Sequence, residues 1–252
     1  MNEPRPRYFQ IGFHKCGTKT LHRFFERTGM ASVHNDGGRL ALTMAANLRQ
    51  GRPILTGYER FEAFHAMGFL RPHVHVEMYK RWKTILEQVP EARFILNVRG
   101  IDRWVASRLN MASVGGFRWG RPSRGFGPPW DRPPRGLFER VEPFPERYRR
   151  HYELADLEEV VSHWRADWHR HIEAVRAGVP AERLLVFDIE SDSPLALCRF
   201  AGLEASAARH YRHENPGLGR LGRAIVRVAP RQVQHLVPRG VRARVRWVLR
   251  RR

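Results

Sequence analysis

A single three-layer α/β domain, with helices on both faces of a central, mostly parallel five-stranded sheet, is the fold class the sequence predicts. Three observations lead there. Five short stretches of strand character alternate with stretches of helical period, the order that builds parallel sheets. RFILNV (93–98) and LLVFDI (184–189) are continuous apolar runs, as expected of strands covered on both faces. A length of 252 residues, 42% of them hydrophobic, is enough for one large core spanning the whole chain as one domain.

In chain order, Tyr8, Phe9, Ile11 and Phe13 make a first strand, His14 to Thr18 a glycine-containing turn, and Leu21, Phe24 and Phe25 the apolar side of a helix that Gly29 ends. Residues 31–34 read as a second strand entering the turn-forming Asn35, Asp36, Gly37 and Gly38, and 40–48 as a helix. PILTGY (53–58) has the composition of a third strand, running toward Glu59, Arg60 and His65. Tyr79, Trp82, Leu86 and Val89 keep a helical period until Pro90, and this helix delivers the chain to the strand at 93–98. From Leu157, the residues Val160, Val161, Trp164, Trp168, Ile172 and Val175 recur in steps of three and four, so a long amphipathic helix is expected up to Gly178. His163, His169 and His171 fall between these positions and are expected at its surface. The strand at 184–189 follows, then a short helix from Pro194 to Phe200 closed by Gly202.

Residues 113–146 show no period. Their glycines and prolines alternate with Arg and with Phe117, Trp119, Phe126 and Trp130, which favours an acceptor-binding lid over a floppy insert. The tail, 215–252, is rich in Arg and ends in VRARVRWVLRRR. Such a tail suits contact with an anionic membrane, closure over a ligand, or plain solvation. The formal net charge of +20 favours anionic ligands without choosing among nucleic acid, acidic lipid and glycan, and a G+C-rich genome would give the same Arg bias. The N-terminal MNEPRPRY lacks an apolar signal core, and no run of about 18 apolar residues occurs, so the expected location is the cytoplasm, with the tail as a membrane-peripheral contact. Two cysteines, Cys16 and Cys198, without ligand spacing around them, predict neither a disulfide nor a metal site.

The chemistry is concentrated in the P-loop-like turn after the first strand. A strand–loop–helix of this kind aims backbone N–H groups, the positive end of the helix dipole and a Lys at one point, a ready site for a phosphate-like anion. Lys15 and Gly17 are its leading residues. Gly12 and Gly17 have the spacing of the nucleoside-triphosphate loop, but Thr18 stands where that loop needs its Lys. The anion is therefore expected to be phosphate-like and not ATP. A second anion motif follows the clearest strand: Arg99 at its end and Ser107 on the next helix, in RGIDRWVASRL.

A Lys within the loop, followed by Gly, Thr and a helix (KCGTKTL, Lys15 to Leu21), and the Arg99–Ser107 pair resemble the two nucleotide signatures of sulfotransferases that use 3′-phosphoadenosine-5′-phosphosulfate (PAPS). The resemblance runs from about Tyr8 to Leu203. It implies transfer of a sulfuryl group from PAPS to a hydroxyl or amine, without a metal; the basic, aromatic stretch 113–146 would suit a glycan, a lipid or a small metabolite as acceptor, and no nucleic acid partner is expected. It also implies that Lys15, Cys16, Gly17, Thr18, Lys19 and Thr20 surround the 5′-phosphosulfate and that Arg99 and Ser107 hold the 3′-phosphate. Cys16, at a helix N-terminus, is expected to have a lowered thiol pKa. The general base has no local motif; Glu59, His65 and His34 are the ranked candidates, with Asp36 behind them, because strand C-terminal ends face the ligand in open α/β sheets. Two other readings fit parts of the sequence: a nucleotide-dependent small-molecule kinase, and a non-catalytic basic module for nucleic acid or anionic lipid.

Overall fold

The computed structural model describes residues 6–71, 73–109 and 144–214. Its main sheet has five parallel strands in the order β2-β3-β1-β6-β7: β1 Arg7–Gln10, β2 Ser32–His34, β3 Ala63–His65, β6 Ala92–Val98 and β7 Leu184–Asp188. A separate antiparallel hairpin joins β4 Gly68–Arg71 to β5 Val74–Glu77. The helices are α1 Thr18–Arg27, α2 Arg39–Arg49, α3 Trp82–Gln88, α4 Ile101–Leu109, α5 Phe144–His151, α6 Leu157–Gly178 and α7 Pro194–Phe200.

Strand alternation sorts the apolar residues into two layers. Phe9 lies in register with Phe64 on one side and Phe94 on the other, and its ring stacks on Phe64 at 4.8 Å. With Leu96 these rings meet α2 to α6 through Met44, Trp82, Trp104, Tyr148 and Trp164. Tyr8, Ala63, Ile95 and Phe187 point the opposite way, onto Leu21, Phe24 and Phe25 of α1 and Leu197 and Cys198 of α7. The helix after β1 therefore leaves to one face and the helix after β6 to the other. Between those two neighbouring strands the sheet opens a crevice at its C-terminal edge, the place where α/β sheets of this topology bind ligands.

The expected long helix forms over Leu157–Gly178, started by the Asp156 carboxylate, which accepts from the N–H groups of Glu158 and Glu159. Ser193 and Pro194 start α7 as anticipated. Two expectations need correction, and one element was not anticipated. Residues 53–58 are turns, not a strand: Asn47 Nδ2 donates to the carbonyls of Ile54 and Thr56, Gln88 Oε1 accepts from Ile54 N, and Tyr58 N closes a turn on Leu55 O. Their backbone groups are satisfied by side chains and local turns, while Ile54, Leu55 and Tyr58 still bury in the core; apolar composition marks burial, not ladder pairing. The third strand is instead Ala63–His65, and the β4–β5 hairpin that follows it was not anticipated. His171 is buried, its Nε2 2.7 Å from the Ile11 carbonyl, whereas His169 is exposed. Of the region 113–146, only 144–146, the start of α5, lies within the described residues; the expected lid and the tail from 215 onward lie outside them. No helix among the described residues is long and apolar enough to cross a membrane.

Candidate active site

Between β1 and α1 the chain turns so that the first N–H groups of α1 are left over. Gly17, the residue preceding the helix, has φ 75°, no side chain caps the helix, and no acidic residue lies in its first turn. Lys15 also adopts a left-handed backbone, φ 73°, a conformation that non-glycine residues enter at a cost of roughly 1–2 kcal/mol. Burial, and secondarily the Arg99 guanidinium, lower the Lys15 pKa from its usual value. An anion arriving here offsets both penalties.

What holds the loop in this shape is a buried amide network beneath it. Asn97 of β6 accepts from Gly12 N (3.0 Å) and from Gln10 Nε2 (2.5 Å) at Oδ1, and donates from Nδ2 to the Cys16 carbonyl (2.5 Å). Gln10 Nε2 also donates to Gly12 O, and Gln10 Oε1 accepts from Ala66 N, so the end of β3 is tied into the same network. Gly12 is required by contact: a Cβ there would lie 2.1 Å from the Asn97 carbonyl oxygen. Trp104 Nε1 of α4 donates to the His14 carbonyl and fixes the loop from the other strand's helix.

The second motif meets the first directly. Arg99 Nη1 donates to the Lys15 carbonyl at 3.1 Å, joining residues 84 positions apart. Its Nη2 donates to Glu190 Oε1 at 2.7 Å. Glu190 Oε2 accepts from Gly100 N at 3.2 Å and lies 3.0 Å from Arg103 Nε, so one carboxylate gathers three donors at the start of α4. Ser107 is partly buried one helical turn beyond Arg103, on the same side of α4.

The other named residues are placed as follows. Thr18 Oγ1 lies 3.1 Å from His34 Nε2; which of them donates depends on the imidazole tautomer. Thr20 is buried and accepts from Glu214 N at 3.0 Å, keeping its own hydroxyl proton available. Lys19 is half-buried in the first turn of α1. The expectation of a reactive Cys16 is overturned: its side chain is fully buried and burial pushes its thiol pKa well up, so the dipole of α1 does not prevail. Its N–H is also directed at the Phe13 carbonyl, 3.3 Å away.

Among the four candidates for a base, only His34 comes to the loop. Burial and then the neighbouring His22 and His14 lower its pKa to about 3, so the ring stays neutral over the ordinary pH range. His65 ends β3 but is fully enclosed, with neither ring nitrogen hydrogen-bonded, packed against the rings of His22 and Phe25. Asp36 is engaged by Arg39 and the Tyr58 hydroxyl. Glu59 is exposed at the opposite edge of the sheet, where its carbonyl accepts from Arg7, the first residue of β1. That placement follows from the corrected third strand: Glu59 precedes it instead of following it.

Sequence reasoning passed over Gln10, Asn97, His14, Arg103 and Glu190. A signal existed for Asn97, since an uncharged polar residue within an apolar strand run must find partners inside. His14 adjoins Lys15, packs edge-on against Tyr79, and is lowered to about 4 by burial first and Arg108 next. Among the described residues no group of three or more His, Cys, Asp or Glu is placed to hold a metal.

Curated proteins provide no match to the chain. The sulfotransferase domain family matches residues 8–217, a span that runs from within β1 past α7 and includes the Lys15 loop, Arg99 and Ser107, and by that match the chain belongs to the sulfotransferases and is an enzyme of that class.

Proposed function

We propose that the protein transfers the sulfuryl group of PAPS to a hydroxyl or amine acceptor, with Lys15 and Arg99 at the two ends of the nucleotide's phosphate framework. The observation that carries this reading is the bond from Arg99 to the Lys15 carbonyl, which joins a loop suited to one anion with a guanidinium suited to another at the sheet's switch point. The family implies PAPS as co-substrate, and the residues fit it. The unused N–H groups at the start of α1 and the Lys15 ammonium suit the 5′-phosphosulfate. The donors of Arg99, Gly100 and Arg103 already converge on a carboxylate, the chemistry expected of a 3′-phosphate site, with Ser107 one turn on. The family assignment leaves no observation in favour of a kinase or a non-catalytic basic module.

PAPS supplies an activated sulfuryl group whose departure leaves charge on a phosphate oxygen. Lys15 and the N–H groups of α1 stabilise that growing charge, and the stiff amide network keeps them aimed without rearrangement. His34, neutral and set against Thr18, takes the acceptor's proton. The test is incubation with sulfur-labelled PAPS and panels of hydroxyl and amine acceptors, in chelator and again with magnesium. Sulfur-labelled acceptor formed equally in both supports the reading without a metal; no labelled acceptor together with no binding of adenosine 3′,5′-bisphosphate overturns it. In the same assay His34→Gln lowers kcat by about 10²-fold, the lower end for a positioned base, while Glu59→Gln stays within about twofold. Unchanged kcat in His34→Gln passes the role to His14.

A further inference from the structure

Glu190 belongs to neither nucleotide motif, yet both of its carboxylate oxygens are engaged at the crevice. It follows β7, and its own N–H donates to Asp188 Oδ1, which sets the turn that swings its side chain across to the start of α4. There both oxygens are used: Oε1 by Arg99 Nη2, Oε2 by Gly100 N and Arg103 Nε. Arg103 is otherwise exposed, with 68% of its side chain accessible, so its guanidinium reaches back to Glu190 from solvent. A planar anion with two oxygens, held through single nitrogens of two guanidinium groups and by a backbone N–H at a helix start, satisfies the donor set that a phosphate would use. Arg99 and Ser107 are eight residues apart with Arg103 midway, so the three lie along one side of α4 and its lead-in.

We propose that Glu190 is an internal competitor for the nucleotide's 3′-phosphate: its carboxylate occupies the Arg99–Gly100–Arg103 donor set and must leave it when the nucleotide enters. This rests on the PAPS reading. A phosphate brings up to two negative charges and three acceptor oxygens against the carboxylate's one charge and two oxygens, so it displaces Glu190 from the two guanidinium groups. The displaced carboxylate stays tethered by its turn and returns when the phosphate departs. Glu190 thereby lowers the affinity for both PAPS and the product adenosine 3′,5′-bisphosphate, and it speeds exit of the product. A nucleotide with only a 5′-phosphate leaves the contact in place and is indifferent to it.

Calorimetry on wild type and Glu190→Gln with adenosine 3′,5′-bisphosphate and adenosine 5′-phosphate tests the idea. Removing one charged competitor is expected to tighten the bisphosphate by about tenfold or more, from the usual strength of a hydrogen bond to a charged group, and to change the 5′-phosphate by less than about twofold. Stopped-flow displacement should show slower departure of the bisphosphate from the variant. Glu190→Asp, which keeps the charge but shortens the reach, serves if the Gln variant does not fold, and should tighten the bisphosphate by a smaller factor. Weaker bisphosphate binding in either variant would mean that Glu190 orients Arg99 for the phosphate and would overturn the proposal. So would equal changes for both nucleotides, which would place the effect in the fold. A wild type that binds the bisphosphate no better than the 5′-phosphate would remove the 3′-phosphate site itself. A wild type that binds neither would instead sink the PAPS reading, and the proposal with it.

Discussion

Lys15 and Arg99 sit side by side at the crevice but are kept ready for an anion in different ways. No carboxylate among the described residues pairs with Lys15; its loop is shaped from beneath by uncharged amides, Gln10 and Asn97, and by a left-handed backbone. Arg99 is held by a carboxylate that has to move, Glu190. The first arrangement leaves a partly desolvated ammonium that an incoming anion would relieve, so on the proposed reading its charge is aimed without rearrangement. The second satisfies its cation at rest and makes binding an exchange of anions. Damage to the first should therefore appear in turnover and folding, and damage to the second in nucleotide affinity.

The sharpest way to break this contrast is Lys15→Ala. Loss of one aimed charge is expected to lower kcat by about 10²–10³-fold, or roughly 2.7–4 kcal/mol of barrier, in the labelled-PAPS assay. A rate within twofold of wild type would remove Lys15 from the chemistry. Next in size is Asn97→Ala, which strands Gly12 N–H and the Cys16 carbonyl in a dry interior and removes one of the bonds of the Gln10 amide. Each buried group left unpaired costs about 1–3 kcal/mol, so urea denaturation should show a loss of about 3 kcal/mol. A loss below about 1 kcal/mol would mean that the loop does not depend on its underside.

Arg99→Ala and Ser107→Ala sharpen the other half. Arg99→Ala should weaken adenosine 3′,5′-bisphosphate by about tenfold or more, Ser107→Ala by a smaller factor, and both should leave adenosine 5′-phosphate nearly unchanged. Equal losses on the two nucleotides would assign the pair to the fold.

The last test is acid sensitivity around the loop. His14, His34 and His65 are all held below the ordinary histidine value of 6.5, each chiefly by burial, His14 to about 4 and His34 to about 3. The unfolded chain therefore takes up protons before the folded one does. Stability is full above about pH 6.5 and falls as pH drops toward 4, each histidine contributing up to about 1.4 kcal/mol per pH unit within that window. Urea midpoints from pH 7 to pH 4.5 measure it; a flat profile would mean that these rings protonate in place.

The residues alone made both anion motifs legible, because each depends on local spacing: a Gly-containing turn between strand and helix, and an Arg at a strand end with a Ser eight positions on. They made β6, β7 and α6 legible too, since RFILNV, LLVFDI and the three-four spacing from Leu157 are strong periodic signals. The third strand was not legible. PILTGY is as apolar as a strand, and only the competition of Asn47 and Gln88 for its backbone groups makes it a turn. That single displacement moved Glu59 to the far edge of the sheet and enclosed His65.

Sequence by itself determined the class of fold and picked out the two segments proposed to bind anions, because hydrophobic period and turn chemistry act over a few residues and need no partner. Only the tertiary structure decided which of these segments touch, that Cys16 is buried, that His34 is the base candidate brought against Thr18, and that Glu190 bonds Arg99. Those facts depend on pairings across 16 to 91 residues of chain, and on the desolvation that comes with them. No local pattern encodes either.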